Sequence, residues 1–266
     1  VQVGGVTVRR VTLHNQDEVD RKDVRIGDWV WLQRAGDVIP EIVAVIPERR
    51  TGHETRFVLP THCPECGAAV VRAEGEVVAR CMNPTCPAQV LGRFTHYVSR
   101  GAMDIDGLGE KIIEQLLAAG LIKELADLYH LPRERLLELE GFKTKSVENL
   151  LNAIEVSRRR PLWRFIFGLG IRHVGEATAK QLARQFGSFD ALVSATDESL
   201  EAVEEIGPEI ARSIREVLGD LEFRGQAKRL ERELELETPI GRADAAQAHP
   251  QIFAGMTFVL TGTLPT

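Results

Sequence analysis

A segment of about 33 residues recurs four times between residues 105 and 210, and this repeat constrains the fold more than any other feature of the chain. Its instances are Ile105-Asp-Gly-Leu-Gly-Glu-Lys-Ile, Leu139-Glu-Gly-Phe-Lys-Thr-Lys-Ser, Ile171-Arg-His-Val-Gly-Glu-Ala-Thr and Val203-Glu-Glu-Ile-Gly-Pro-Glu-Ile. They are spaced by 34, 32 and 32 residues. Each has an apolar residue, two variable positions, a second apolar residue and usually glycine, then a helical pattern. Runs such as Ile112-Ile113-x-x-Leu116-Leu117 and Leu150-Leu151-x-x-Ile154 put apolar side chains on one helix face. Residues 89–237 are therefore predicted to be all-α.

The repeat resembles the helix-hairpin-helix motif. A tight turn that opens a helix leaves backbone N–H groups able to bind a phosphate oxygen. Glycine suits such a turn because it accepts positive φ and lets a ligand's backbone approach. Contacts of this kind read no bases, so binding is expected to be independent of sequence. They need few lysines, which is compatible with a net charge of −6. The candidate DNA contacts are Gly107, Gly109 and Lys111 in the first copy, Gly141, Lys143 and Lys145 in the second, and Arg172, His173 and Gly175 in the third. Only the first copy has both glycines. Lys143 replaces the second in copy two, and His173 and Glu205 replace the first in copies three and four. Copy four, with Glu204, Glu205 and Glu209 near its turn, is expected to bind phosphate least well and to act as a packing unit. The plainer alternative is a helical repeat whose glycines merely cap helices.

Charge along this region is uneven. From Gly141 to Phe186 nine Lys/Arg stand against three Asp/Glu, and from Gly187 to Glu237 six stand against fourteen. This fits either one anion-binding face beside an acidic one or two oppositely charged solvated surfaces. Arg158-Arg159-Arg160 likewise fit phosphate contacts or a solvated helix end. At 266 residues the chain should form two or more domains. Hydrophobic content of 44% and charged content of 27% are ordinary for globular protein. No apolar run approaches the ~18 residues that span a bilayer, and no signal pattern opens the chain, so an intracellular location is expected.

Residues 1–60 read as β. Val1-Gln2-Val3, Val6-Thr7-Val8, Trp29-Val30-Trp31-Leu32 and Ile42-Val43-Ala44-Val45-Ile46 are β-branched or aromatic runs, separated by turn signals at Gly4-Gly5, Gly27-Asp28 and Gly36-Asp37. Several short strands in so few residues fit a small all-β barrel, either a five-stranded oligonucleotide-binding (OB) barrel or an SH3-like one. The chain opens within a strand pattern, so the first strand is expected to be incomplete.

All four cysteines fall in residues 61–88. Cys63-Pro-Glu-Cys66 is followed by Cys81 and Cys86, two close pairs with the spacing of a four-thiolate zinc site. Two disulfides or free core thiols are the alternatives. An intracellular chain disfavours disulfides, and the segment is too poor in apolar residues to fold without a staple. With all four ligands from protein, one zinc ion would be structural rather than catalytic.

In order, these segments resemble a bacterial NAD-dependent DNA ligase. Thr12-Leu-His-Asn15, Asp23-Val-Arg-Ile-Gly-Asp28 and Arg34-Ala-Gly-Asp-Val-Ile-Pro40 look like the OB barrel of that family. The four-cysteine finger, the hairpins and Gly168-Leu-Gly-Ile-Arg-His-Val-Gly175 follow in the family's order. Residues 238–249 read as a linker, and Phe258-Val-Leu-Thr-Gly-Thr-Leu264 resembles the opening of an α/β BRCT domain, truncated, at 250–266. The implied organisation is multidomain: a barrel at 1–60, a four-cysteine zinc finger at 61–88, and four helix-hairpin-helix units at 89–237.

The resemblance implies that barrel and hairpins close around nicked double-stranded DNA, largely through the minor groove. Arg34 would then contact phosphate, while Val38 and Ile39 would press into the groove beside the nick, as apolar wedges do. The bland reading of Val38 and Ile39 is strand core. The family transfers AMP from NAD to a lysine in a Lys-x-Asp-Gly motif, then to the 5′ phosphate of the nick, and then seals the strand. No Lys-x-Asp-Gly occurs here: Lys22-Asp23 is followed by valine, and Gly107-x-Gly109 lacks the βαβ context of a dinucleotide site. No catalytic residue is expected in this chain. NAD and Mg would be handled by an upstream adenylation domain, a partner in the same enzyme. The expected role is DNA positioning in replication and repair, in the bacterial cytoplasm at the nucleoid, with no membrane partner. A stand-alone DNA-binding scaffold is the alternative. A repair nuclease subunit would need a clustered acidic metal site, which the sequence does not suggest.

Overall fold

A computed structural model of the chain describes residues 1–3, 5–35, 39–73 and 75–237. The expected turn at 36–38, the expected linker at 238–249 and the BRCT-like segment at 250–266 lie outside the described residues. The chain forms two compact units, 1–90 and 91–266.

In the first unit, β1 (Gln2–Val3) pairs antiparallel with β2 (Val6–Thr7). A short helix, α1 (Gln16–Arg21), follows because Asn15 caps it, its side chain accepting from the Glu18 amide at 3.0 Å. The β reading of this stretch did not anticipate that helix. Strand β3 (Arg25–Ile26) pairs with β6 (Thr55–Arg56), and β4 (Val30–Ala35) pairs with β5 (Ile39–Val45). Trp31 opposes Ala44 but Leu32 opposes Ile42, so Val43 is an extra residue that bulges the ribbon. Few side chains here are buried, Val8, Val19 and Ile42 among them.

A charged bracket supplements this thin core. Arg50 donates from Nε to Asp28 Oδ1 and from Nη1 to Asp23 Oδ2, both at 2.7 Å, and from Nη2 to the Asp23 carbonyl at 2.6 Å. The side chain of Asp28 is 1% exposed. Its hydrogen bonds with Arg50 hold its carboxyl below the usual range, against the opposing effect of burial. The Asp23-Val-Arg-Ile-Gly-Asp28 motif is therefore a turn whose two ends meet one guanidinium. The finger follows as β7 (Val70–Arg72) paired with β8 (Ala79–Cys81).

The second unit is helical, as the repeat predicts. Helix α2 (Pro87–Val98) runs into it, followed by α3 (Glu110–Ala118), a 3-10 turn at Leu125–His130, α4 (Arg133–Leu137) and α5 (Thr144–Ser157). Next come α6 (Leu162–Gly168), α7 (Glu176–Phe186), α8 (Phe189–Val193), α9 (Asp197–Glu201), α10 (Pro208–Gly219) and α11 (Leu221–Arg232). The hairpins join α2 to α3, α4 to α5, α6 to α7 and α9 to α10.

The core is aromatic and aliphatic, with Phe94, Tyr97, Ile113, Leu116, Phe165 and Phe189 at most 2% exposed. Each such side chain contributes about 1.5–3 kcal/mol by leaving water. Two buried tyrosines satisfy their hydroxyls in a chain: Tyr97 to Tyr129 at 2.8 Å, Tyr129 to Ser157 Oγ at 3.2 Å, and Ser157 to the Ile154 carbonyl at 2.7 Å. After α11 the backbone returns to the segment between copies two and three. Glu235 and Glu237 donate their amides to the carbonyls of Arg158 and Arg160 at 2.8 and 3.0 Å. No described helix is long and apolar enough to cross a membrane.

Candidate nucleic-acid interface and metal centre

The four cysteines meet, their sulfurs all within 4.8 Å of one another. Cys63 Sγ lies 3.8 Å from Cys86 Sγ, and Cys66 Sγ lies 3.5 Å from Cys81 Sγ. Four thiolates about 2.3 Å from one zinc ion would be about 3.8 Å apart. Two knuckles set this geometry. The Gly67 amide donates to the Cys63 carbonyl at 2.9 Å with Gly67 at φ 71, and the Cys86 amide donates to the Asn83 carbonyl at 3.1 Å. Backbone amides point at the sulfurs: Ala68 beside Cys66 draws that thiol down to about 7, and Asn83 donates to Cys81 Sγ at 3.5 Å, although burial and the neighbouring sulfurs push the Cys81 thiol up to about 11. Thiols fed by amides and gathered at tetrahedral spacing suit a closed metal centre. Every position is filled by protein, so the metal would staple the loop and leave no place for a substrate.

The hairpins share one backbone design. In each, the fourth residue donates its amide to the carbonyl of the first: Leu108 to Ile105 at 3.5 Å, Phe142 to Leu139 at 3.3 Å, and Val174 to Ile171 and Ile206 to Val203, both at 3.1 Å. The third residue is left-handed throughout: Gly107 (φ 85), Gly141 (φ 83), His173 (φ 63) and Glu205 (φ 65). Glycine adopts this conformation freely, whereas an L residue pays about 1–2 kcal/mol for it. The fifth residue is extended and caps the second helix: Gly109, Lys143, Gly175 and Gly207 have φ of −72, −134, −80 and −88. Extended backbone suits any residue, which explains why lysine fits in copy two. A β-carbon added at Gly109 or Gly175 would meet nothing within 4 Å, so the chain's own packing does not require glycine there.

The copies differ in what their helix N-termini offer. Lys111 and Lys145 stand at the second helical position of α3 and α5, where the helix dipole disfavours a cation by about 0.3–1 kcal/mol. In copy three that position is Ala177, and in copy four it is Glu209. The Lys143 amide already donates to Ser146 Oγ at 2.8 Å, so one donor of copy two is occupied. Copy four opens on Pro208, which has no N–H to give. Arg172 and His173 are exposed on the third turn.

Two of the three consecutive arginines belong to the fold. Arg158 donates to the carbonyls of Tyr129 and Glu233, pairs with Glu155 and Glu233, and stacks 4.8 Å from the Tyr129 ring centre. Arg160 donates to the carbonyls of Met103 and Asp104 at 3.1 and 3.2 Å. Only Arg159 is exposed, and it pairs with Glu235 at 2.8 Å. Apart from Glu155, one helical turn before Arg158, these partners are far away in sequence, and a run of like charges gave no sign of them. In the first unit, Arg34 lies on β4 opposite Pro40, and Ile39 opens β5 at 56% exposure, so Ile39 is not strand core. Val38 lies outside the described residues.

Comparison with known proteins agrees with this order of parts. The model of the NAD-dependent DNA ligase OB-fold domain matches residues 1–54, and that of the NAD-dependent DNA ligase C4 zinc finger domain matches 62–88. A SAM-like helix-hairpin-helix tandem matches 100–155, and a helix-hairpin-helix motif matches 164–225, which divides the hairpins into two pairs. The DNA ligase of Desulforamulus reducens is 50% identical over 264 residues, 99% of this chain and 39% of that protein. That of Geobacter sulfurreducens is 50% identical over 272 residues, again 99% and 39%. That of Bacillus cereus is 48% identical over 267 residues, 99% of this chain and 40% of its own length. The chain thus spans 39% to 40% of these curated relatives. The barrel settles as an OB-fold, the cysteines as a zinc finger and the repeat as helix-hairpin-helix. Because the first two of these parts are matched by models specific to one kind of enzyme, the chain belongs to the NAD-dependent DNA ligase family.

Proposed function

We propose that this chain holds nicked double-stranded DNA for phosphodiester bond formation within an NAD-dependent DNA ligase active in replication and repair in the bacterial cytoplasm. The observation that carries the reading is the shared hairpin backbone, a left-handed third residue and an extended fifth that opens a helix, in all four copies. That geometry turns the first amides of a helix toward an incoming anion.

On this reading α3, α5 and α7 present the phosphate sites. Gly107, Gly109 and Lys111 form the first, Gly141, Lys143 and Lys145 the second, and Arg172, His173 and Gly175 the third. The fourth copy, with proline and glutamate where donors and cations would serve, contributes packing. In the barrel, Arg34 takes a phosphate, and Val38 and Ile39 enter the minor groove. The finger's zinc is structural.

The chain contains no Lys-x-Asp-Gly, and no adenylation step is assigned to its residues. That chemistry, with NAD and Mg, is assigned to an adenylation domain of the same enzyme. Positioning both ends of a nick converts sealing into an effectively intramolecular step. Anisotropy titration with labelled nicked duplex tests the reading. It expects sequence-independent binding that weakens steeply with salt, and no sealing or AMP transfer by this chain when NAD is added. Sealing by the chain alone, or binding indifferent to salt, would overturn it.

A further inference from the structure

The second helices of the four copies carry a polar residue at one shared place, six residues after the residue that caps each helix. These are Gln115, Asn149, Gln181 and Ser213, spaced by 34, 32 and 32 residues like the turns themselves. Each precedes a buried aliphatic residue: Leu116, Leu150, Leu182 or Ile214.

In the second pair of copies these side chains reach across to the partner's turn. Ser213 Oγ, on α10 of copy four, donates to the carbonyl of Arg172 in turn three at 3.0 Å. Gln181 Nε2, on α7 of copy three, donates to Glu205 Oε2 in turn four at 3.4 Å. The exchange is reciprocal, and each contact falls on the left-handed residue or the residue just before it.

The first pair has the same layout without that closure. Asp106 and Gly107 of turn one face Asn149 and Leu150 of α5, and Glu140 and Gly141 of turn two face Ile112 of α3, around a cleft of about 310 Å³. Gly107 and Gly141 are the left-handed residues there, whereas the second pair uses His173 and Glu205. Cross-contacts therefore accompany the two turns that an L residue must strain to form.

We propose that Ser213 is a positioning residue for turn three, with Gln181 its counterpart for turn four, each helix holding its partner's turn in the anion-binding conformation. Copy four then serves DNA binding without touching DNA, by keeping turn three formed. A contact made only when the turn is closed shifts the local equilibrium toward the closed state. The link from turn to DNA rests on the function proposed above, whereas the brace itself does not.

Amide hydrogen exchange in the full chain separates the two. The Val174 amide reports turn three through its bond to the Ile171 carbonyl, and the Leu108 amide reports turn one. Ser213→Ala should speed exchange at Val174 about five- to tenfold and leave Leu108 unchanged. Ser213→Thr, which keeps the hydroxyl, should stay near wild type. Adding His173→Gly to Ser213→Ala should restore protection, because a glycine turn needs no support. Unchanged exchange at Val174, or faster exchange that His173→Gly does not reverse, would overturn the brace. Faster, reversible exchange with unaltered affinity for nicked duplex would keep the brace and refute phosphate binding by turn three.

Discussion

The ring of Tyr97 packs against the bare α-carbon of Gly168, so closely that a β-carbon there would meet Tyr97 Cδ2 at 3.1 Å. Ala102 Cβ would lie at 3.6 Å on another side, and Tyr97 is fully buried with its hydroxyl bound to Tyr129. The contact joins α2, which leads into the first hairpin, to α6, which leads into the third. Gly168→Ala should therefore destabilise the helical unit by about 1–3 kcal/mol, the usual cost of overpacking, despite alanine's better helix propensity. Thermal unfolding followed by circular dichroism checks this; a melting temperature equal to or above wild type would contradict it.

The glycines that cap the second helices should behave differently. Gly109→Ala and Gly175→Ala place a methyl group in open space on extended backbone, so unfolding should change by no more than about 1 kcal/mol, the cost of a less favoured cap residue. The same methyl stands where a phosphate would approach, so affinity for nicked duplex should fall several-fold. Unaltered affinity in both variants would remove the basis for assigning phosphate binding to these turns.

Lys111 and Lys145 stand where the helix dipole opposes them. If they contact phosphate, Lys111→Ala should weaken binding to all duplex sequences alike and reduce the salt slope by about 1. A variant with lower affinity but the wild-type slope would show that this lysine acts otherwise.

Asp28 gives the barrel an acid-sensitive element. Hydrogen bonds with Arg50 lower its pKa in the folded state, so the associated stability is present above the unfolded value, about 3.9, and is lost as pH falls through the folded one. Urea unfolding followed by tryptophan fluorescence at pH 7 and pH 3 should show a drop in midpoint for the native protein. Asp28→Asn should be less stable at pH 7, by on the order of 3 kcal/mol, and show a smaller drop. An equal drop in both proteins would assign the acid sensitivity elsewhere.

Removal of zinc should unfold the finger selectively. Chelation at neutral pH should abolish ordered structure across residues 62–88 and leave the helical signal of the second unit nearly intact, because that unit buries its own aromatic and aliphatic core. Native mass spectrometry should show one zinc per chain, lost in Cys63→Ser and Cys86→Ser.

The repeat period, the cysteine spacing and the strand runs of the barrel were legible in the sequence because each is a local pattern whose physics acts over a few residues. A turn that needs positive φ shows its glycines, and a tetrahedral thiolate site shows its two pairs. By themselves these determined the kinds of parts and their order. Tertiary structure decided what the parts do to one another. It turned Arg158 and Arg160 from a basic run into internal brackets, because their partners on Tyr129, Glu233, Met103 and Asp104 lie 29 to 75 residues away. It showed that His173 and Glu205 are left-handed although neither is glycine, and that α10 and α7 each reach the other's turn. Pairing between copies depends on which helix faces meet, and no local pattern carries that information.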